Sequence, residues 1–171
     1  MSTGTEEDQT HQVVIALGSN LGDRLELLQA ARSSLSQRLS VSLRSARVYE
    51  SEPVGKADQK FLNTAVSFST SYEPEKLLYI CKDIERRLGR DHSAERWSNR
   101  PIDLDIITYG DQTINTRFLT IPHPEYRKRL FVLLPLADLF PTWIDPITKT
   151  PIPLLIDAVS ESKPELRYTT W

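Results

Sequence analysis

Asp103 and Asp105 interrupt an otherwise apolar run, "PIDLDIITYG", that has the Ile- and Leu-rich character of a buried strand. Side chains alternate between the faces of a strand, so Ile102, Leu104 and Ile106 share one face while the two aspartates share the other, roughly 7 Å apart. Carboxylates that close repel, burial pushes one toward its neutral form, and a divalent cation relieves both effects. Hard oxygen donors suit magnesium, and two such ions about 4 Å apart clamp a phosphate chain. A D-x-D pair on a strand does not by itself separate this reading from an inert, solvated pair. The cationic stretch upstream does. Arg86, Arg87, Arg90, Arg96 and Arg100, with Trp97 among them, run along a helix end and the loop 90–101 that feeds the aspartate strand. Guanidinium forks bind phosphate bidentately, and a mobile loop can carry them over a metal-bound polyphosphate. Arg86 and Arg87 are accounted for by the macrodipole at a helix C-terminus; Arg90, Arg96 and Arg100 are not. An acidic floor under a basic lid points to phosphoryl chemistry.

Other groups carry less. "GSNLGDR" (18–24) is a glycine-bearing turn into a helix without the spacing of a P-loop, and its expected work is to shape the turn and cap the helix. His123 sits between two prolines in "IPHPE"; a lone histidine there fits a structural role, and one near a phosphate site can donate a hydrogen bond to it. His11 and His92 lack the partners and spacing of a zinc site. Asn63 shares a strand face with Phe61, Ala65 and Ser67. An amide beside an aromatic can read a planar heterocycle, being both donor and acceptor, and simple surface placement fits the spacing equally well.

The elements that must position these groups follow from hydrophobic period. "VVIAL" (13–17) is a strand, and Leu25, Leu28, Ala31, Leu35 and Leu39 predict a helix from about Gly22 to Arg38. Segments 41–50 and 61–70 read as strands joined by the loop "SEPVGKADQK". Pro74 opens a second helix carrying Leu77, Ile80, Cys81, Ile84 and Leu88, which Gly89 stops. With the aspartate strand the order is β-α-β-β-α-β, an α/β (α+β) fold of ferredoxin-like type: an antiparallel sheet with both helices on one face. Past Gly110 the expectations are a small hairpin around Asn115 and additional C-terminal helices in "LFVLLPLADLF" and "PIPLLIDAV", covering the open face or an edge.

The chain has 171 residues, 39% of them hydrophobic, and a formal net charge of −2, the size of a single domain. Residues 1–12 are expected to be a disordered tail and 13–171 one domain. No apolar run is long enough for a membrane span, the polar acidic start is no secretory signal, and a lone Cys81 permits no intramolecular disulfide. A cytoplasmic, free-standing monomer that binds neither membrane nor nucleic acid is the expectation.

"ALGSNLGDR", "SEPVG" followed by "FLNTAVSFST", "IERRLGR", "ERWSNRPIDLDIITYG" and "LTIPHPEYRKRLFVLLPL" together resemble 6-hydroxymethyl-7,8-dihydropterin pyrophosphokinases, enzymes of folate biosynthesis, over about residues 13–140. The resemblance implies transfer of the terminal pyrophosphate of ATP to the pterin hydroxymethyl group, with release of AMP. It implies Asp103 and Asp105 as ligands of two Mg2+ ions, and Arg90 and Arg100 meeting the phosphates when the loop closes. Glu85, Arg96, Trp97, Ile106, Thr120, His123 and Arg129 would lie on the ATP side. Ser51, Val54, Phe61, Asn63, Trp97 and Phe131 would enclose the pterin, its ring between Phe61 and Phe131. The general base stays open: Asp105 directly, or a metal-bound water. Departures fall on the ATP side, with Phe118 in place of a basic residue, Lys82 of a glutamine, Pro124 of an aromatic and Ser93 of a loop lysine.

The same element order occurs in RNA-recognition domains. "VVIAL" offers no aromatic for base stacking, and two aspartates would face the phosphates. A small-ligand regulatory domain of this fold would leave the arginine loop and the aspartate pair unexplained.

Overall fold

A computed structural model of the chain describes residues 9–94 and 98–171. In chain order the elements are β1 (His11–Ser19), α1 (Arg24–Leu39), β2 (Arg44–Ser45), β3 (Val48–Ser51), β4 (Phe61–Thr70), α2 (Pro74–Arg87) and β5 (Asp103–Tyr109). There follow β6 (Ile114–Asn115), β7 (Thr120–Ile121), a 3-10 turn (Tyr126–Lys128), α3 (Leu130–Leu139), α4 (Ile152–Asp157) and β8 (Glu165–Tyr168).

β1 lies between β4 and β5, antiparallel to both, and the sheet runs β5-β1-β4-β3-β8, with β2 also paired to β4. Local chemistry sets the helix ends. The Asp23 carboxylate accepts from the Glu26 N–H at 3.0 Å to cap α1. Pro74 opens α2, and Gly89, with φ at +93°, follows its end. Both helices bury their apolar stripes, Leu28, Ala31 and Leu35 from α1 and Leu77, Ile80 and Ile84 from α2, against Val13, Ile15, Leu17, Leu62, Val66 and Leu104. Each such Leu or Ile contributes about 1.5–3 kcal/mol by leaving water. On the opposite face Val14, Ala65 and Ile107 meet Val132, Leu133 and Leu136 of α3 and Ile152 and Leu155 of α4. The C-terminal helices thus cover part of the face that α1 and α2 leave free.

Several expectations change. β1 starts at His11, inside the predicted tail: Gln12 Nε2 donates to Phe68 O at 2.9 Å, and the His11 ring lies 4.6 Å from that of Tyr109. Residues 1–8 are outside the described residues. The single strand predicted over 41–50 is two, β2 and β3, broken where the Ala46 N–H bonds to Ala65 O at 2.9 Å. The hairpin expected around Asn115 does form, β6 pairing with β7 and the chain turning at 116–119. β8 was not foreseen. Within β5 a bulge resets the alternation: Ile15 faces Ile106 while Val14 faces Thr108, so Ile107 is the extra residue. Among the described residues no helix is long and apolar enough to cross a membrane.

Candidate active site

Ala16 and Gly18 leave the middle of one sheet face without side-chain bulk. Gly18 pairs with Asp103 on β5 and Asn63 on β4, and Asn63 pairs with Tyr49 on β3. One row across four strands therefore runs Asp103, Gly18, Asn63, Tyr49, and beside it lie Asp105, Ala16 and Ala65. Adjacent strands are about 4.8 Å apart, which puts β5 and β4 on the order of 10 Å from each other. A Cβ added to Gly18 would stand 3.4 Å from Asn63 Oδ1 and 3.7 Å from Phe61 Cδ1. Above this floor opens a cleft of about 600 Å3, counting the space that is open to solvent. Phe61 of β4 and Phe131 of α3 both line it, each with a guanidinium over its ring: Arg100 Cζ at 5.4 Å from the Phe61 centroid and Arg129 Cζ at 5.6 Å from that of Phe131. Asn63 is 5% exposed and its Nδ2 donates to Ser51 Oγ at 2.8 Å. His123 closes the aspartate side. Its N–H donates to Ile107 O at 3.1 Å and its Nδ1 accepts from the Glu125 N–H at 3.3 Å.

The two aspartates differ in company. Asp103 is ion-paired with Arg90, while Arg100 Nε lies 3.3 Å from Asp103 Oδ2 without hydrogen-bond geometry. Burial pushes the Asp103 carboxyl up, but Arg100, Arg90 and Lys82 outweigh it and hold it below the usual range. Asp105 makes no hydrogen bond or ion pair with the described residues, and burial together with the Asp103 charge pushes its carboxyl up. Glu85 sits at the outer edge of β5, fully buried, accepting from the Leu104 N–H at 2.7 Å and the Lys82 Nζ at 3.1 Å. Arg90 Nη1 is 3.0 Å and His92 Nε2 3.4 Å from the Glu85 carboxylate, which burial pushes up to about 7. No group of three His, Cys, Asp or Glu converges among the described residues. A cation here would have two hard oxygen ligands from the protein and would take the rest from phosphate or water, which is how magnesium is commonly held.

The family model for 7,8-dihydro-6-hydroxymethylpterin-pyrophosphokinase (HPPK) matches residues 14–141. The 2-amino-4-hydroxy-6-hydroxymethyldihydropteridine pyrophosphokinase of Bacillus subtilis (strain 168) is 45% identical over 127 residues, 73% of this chain and 75% of that protein. The chain belongs to this family. The HPPK of Synechocystis sp. is 38% identical over 152 residues, 88% of this chain and 77% of its own. The crystal structure of Plasmodium falciparum HPPK-DHPS wild type with pteroate aligns with a TM-score of 0.69 at 19% identity. That alignment covers 90% of this chain and 43% of the longer one, and it speaks for the fold alone. The function that goes with HPPK membership is transfer of pyrophosphate from ATP to 6-hydroxymethyl-7,8-dihydropterin in folate biosynthesis.

Of the residues that the resemblance gives to the pterin, Ser51, Val54, Phe61, Asn63 and Phe131 all line the cleft. Trp97 and Arg96 lie outside the described residues. His123, Arg129, Arg100 and both aspartates line the same cleft, and Arg90 reaches it through Asp103. Three expected ATP-side residues do not line it: Glu85, fully buried at the outer edge of β5, and Ile106 and Thr120. Ile106 is 4% exposed in the core under α1 and α2, on the face that alternation gives it, while Ile107 shares the aspartate face and lines the cleft. Thr120 is exposed on β7, its Oγ1 3.5 Å from Asn115 Oδ1. Phe118 is 74% exposed on the hairpin, and Lys82 is engaged with Glu85. Arg86 and Arg87, assigned to the macrodipole, both pair with Asp83.

Asn20 escaped the sequence reading. It is fully buried, its Nδ2 donating to Gln59 O at 3.0 Å and Asn99 Oδ1 at 2.8 Å, its Oδ1 accepting from the Arg100 N–H at 2.7 Å. The turn "GSNLGDR" therefore fastens the loop before Phe61 to the segment carrying Arg100. Gly18 had a signal: a glycine inside a strand marks a close approach.

Proposed function

We propose that this cleft seats the pterin ring between Phe61 and Phe131, with its amide edge against Asn63, and the ATP phosphates over Asp103 and Asp105. The observation that carries the reading is the row Asp103–Gly18–Asn63, in which one glycine separates a carboxylate floor from an aromatic and amide pocket. Phe61 and Phe131 supply apolar walls, and Asn63 offers donor and acceptor to a heterocycle edge. Asp103 and Asp105 would hold two magnesium ions, whose bound charge supports the attacking and bridging oxygens when present. Arg90 and Arg100 offset charge on the transferred group, and His123 and Arg129 bind on the nucleotide side. The pterin hydroxyl oxygen attacks the β-phosphorus in line. The O–Pβ bond forms, the bond from Pβ to the α,β-bridging oxygen breaks, AMP leaves with that oxygen, and the hydroxyl proton is lost. Holding the two substrates across one strand supplies orientation, the larger part of such a rate.

The same reading takes the strand order β5-β1-β4-β3 as ferredoxin-like with β8 added at one edge, and the chain as a single domain acting as a cytoplasmic monomer. The test is AMP formation from ATP, magnesium and 6-hydroxymethyl-7,8-dihydropterin, compared between the wild type and Asp103→Asn. AMP formed by the wild type and lost in the variant is expected; equal rates would overturn the assignment of the floor.

A further inference from the structure

We propose that Arg90 is a displaceable counter-ion of the metal site: it neutralises Asp103 until a divalent cation takes that carboxylate, and is then released toward the phosphates. The inference rests on Asp103 and Asp105 being the metal ligands. Arg90 engages Asp103 Oδ1 through Nη1, whereas Asp105 makes no hydrogen bond or ion pair with the described residues. An incoming cation therefore finds one carboxylate free and the other occupied. A guanidinium and a divalent ion repel at a shared oxygen, the more so where side chains are only 18% exposed, as those of Arg90 and Asp103 are.

The contacts of Arg90 make release possible without leaving a buried charge alone. Its Nη1 also lies 3.0 Å from Glu85 Oε1 and 3.4 Å from Ile102 O. Glu85 keeps a hold on the arginine after Asp103 lets go, so the guanidinium swings about a retained anchor and stays next to the cation. Arg100 is less engaged, its Nε 3.3 Å from Oδ2 without hydrogen-bond geometry. While Arg90 holds Asp103 the metal-competent arrangement is only partly populated, which lowers apparent metal affinity by that fraction. Phosphates that accept the freed arginine restore it, so metal and nucleotide reinforce each other through Arg90.

Mn2+ binding to the nucleotide-free protein, followed by its paramagnetic signal, tests this in the wild type, Arg90→Gln, Lys82→Gln and Asp103→Asn. Lys82 bonds Glu85 and not Asp103, so its substitution reports the loss of one positive charge alone. Arg90→Gln should bind Mn2+ about five- to fifty-fold more tightly than the wild type, and clearly more tightly than Lys82→Gln. A gain in Arg90→Gln no larger than that in Lys82→Gln overturns the counter-ion role. Asp103→Asn should bind more weakly than the wild type; unchanged binding there overturns the metal reading itself, a separate failure.

Discussion

Asp103 pairs with Arg90 and stands beside Arg100, contacts that its removal loses, whereas Asp105 makes no hydrogen bond or ion pair with the described residues. Both Asp103→Ala and Asp105→Ala should lower magnesium-dependent AMP release by about a hundredfold or more. Thermal melting should separate them: Asp105→Ala melts at or above the wild type, because a buried repelling carboxylate is gone, and Asp103→Ala melts lower. Near-normal turnover in both would remove them from the chemistry. Asn63→Ala should weaken binding of a non-reactive pterin by roughly 1–3 kcal/mol, since the heterocycle's polar edge would lie unpaired in the cleft; calorimetry that finds unchanged affinity would return Asn63 to a structural role. Strand parity put Phe61 with Asn63 and Asp103 with Asp105, and all four line the cleft, because alternation is a property of any strand. Gly18 and Asn20 were read as turn residues, although a glycine at a strand end is a signal of close approach. What they do, leaving room beside Phe61 and fastening Arg100, depends on strands and loops remote in sequence.

At the scale of elements, the loop 90–101 should act in the transition state more than in the resting complex. Arg90→Ala and Arg100→Ala are each expected to lower kcat on the order of tenfold to ten-thousandfold while equilibrium ATP affinity changes by about tenfold or less. Single-turnover kinetics with direct binding decides it, and lost affinity with kcat intact would make the loop a static surface. A second clamp joins the two helices: Asp83 of α2 pairs with Arg38 of α1 and with Arg86 and Arg87. Hydrogen bonds from Arg87 and Arg38 hold its carboxyl down at about 2 from the usual 3.8. A lowered folded-state value means stability that is present above the unfolded value and lost as pH falls through the folded one. Asp83→Asn should therefore melt lower than the wild type at pH 7, with the difference shrinking as the pH falls from about 4 to 2; parallel melting curves across that range would refute the clamp. Helix ends were legible because Asp23, Pro74 and Gly89 act locally. β8 was not, since its residues Leu166 and Tyr168 are 42% and 37% exposed and it pairs through backbone, leaving no buried stripe to detect. The bulge at Ile107 was hidden because β-prone residues run through it, and the break between β2 and β3 because Ala46 and Arg47 carry no glycine or proline signal.

For the whole molecule, β8 and Trp171 secure an edge remote from the aspartates. Trp171 Nε1 donates to Ala46 O at 2.8 Å, and the Arg32 guanidinium lies 4.4 Å over its ring. Removing residues 165–171 should lower the melting temperature and promote association through the bared β3 edge, while the cleft-lining residues, all at or before Val132, keep turnover at low temperature. Melting and light scattering check this, and an unchanged melt would show the edge to be idle. The central place of β1 has a consequence for synthesis. It is made first, yet its two neighbours are completed only at Thr70 and Tyr109. A nascent chain stalled before Asp103 could pair β1 with β4 and set Phe61 and Asn63 on one face, with neither Phe131 nor a carboxylate floor. Through that interval the apolar "VVIAL" segment keeps one open hydrogen-bonding edge, so the newborn chain is most vulnerable to wrong pairing just before it gains the residues that make it an enzyme.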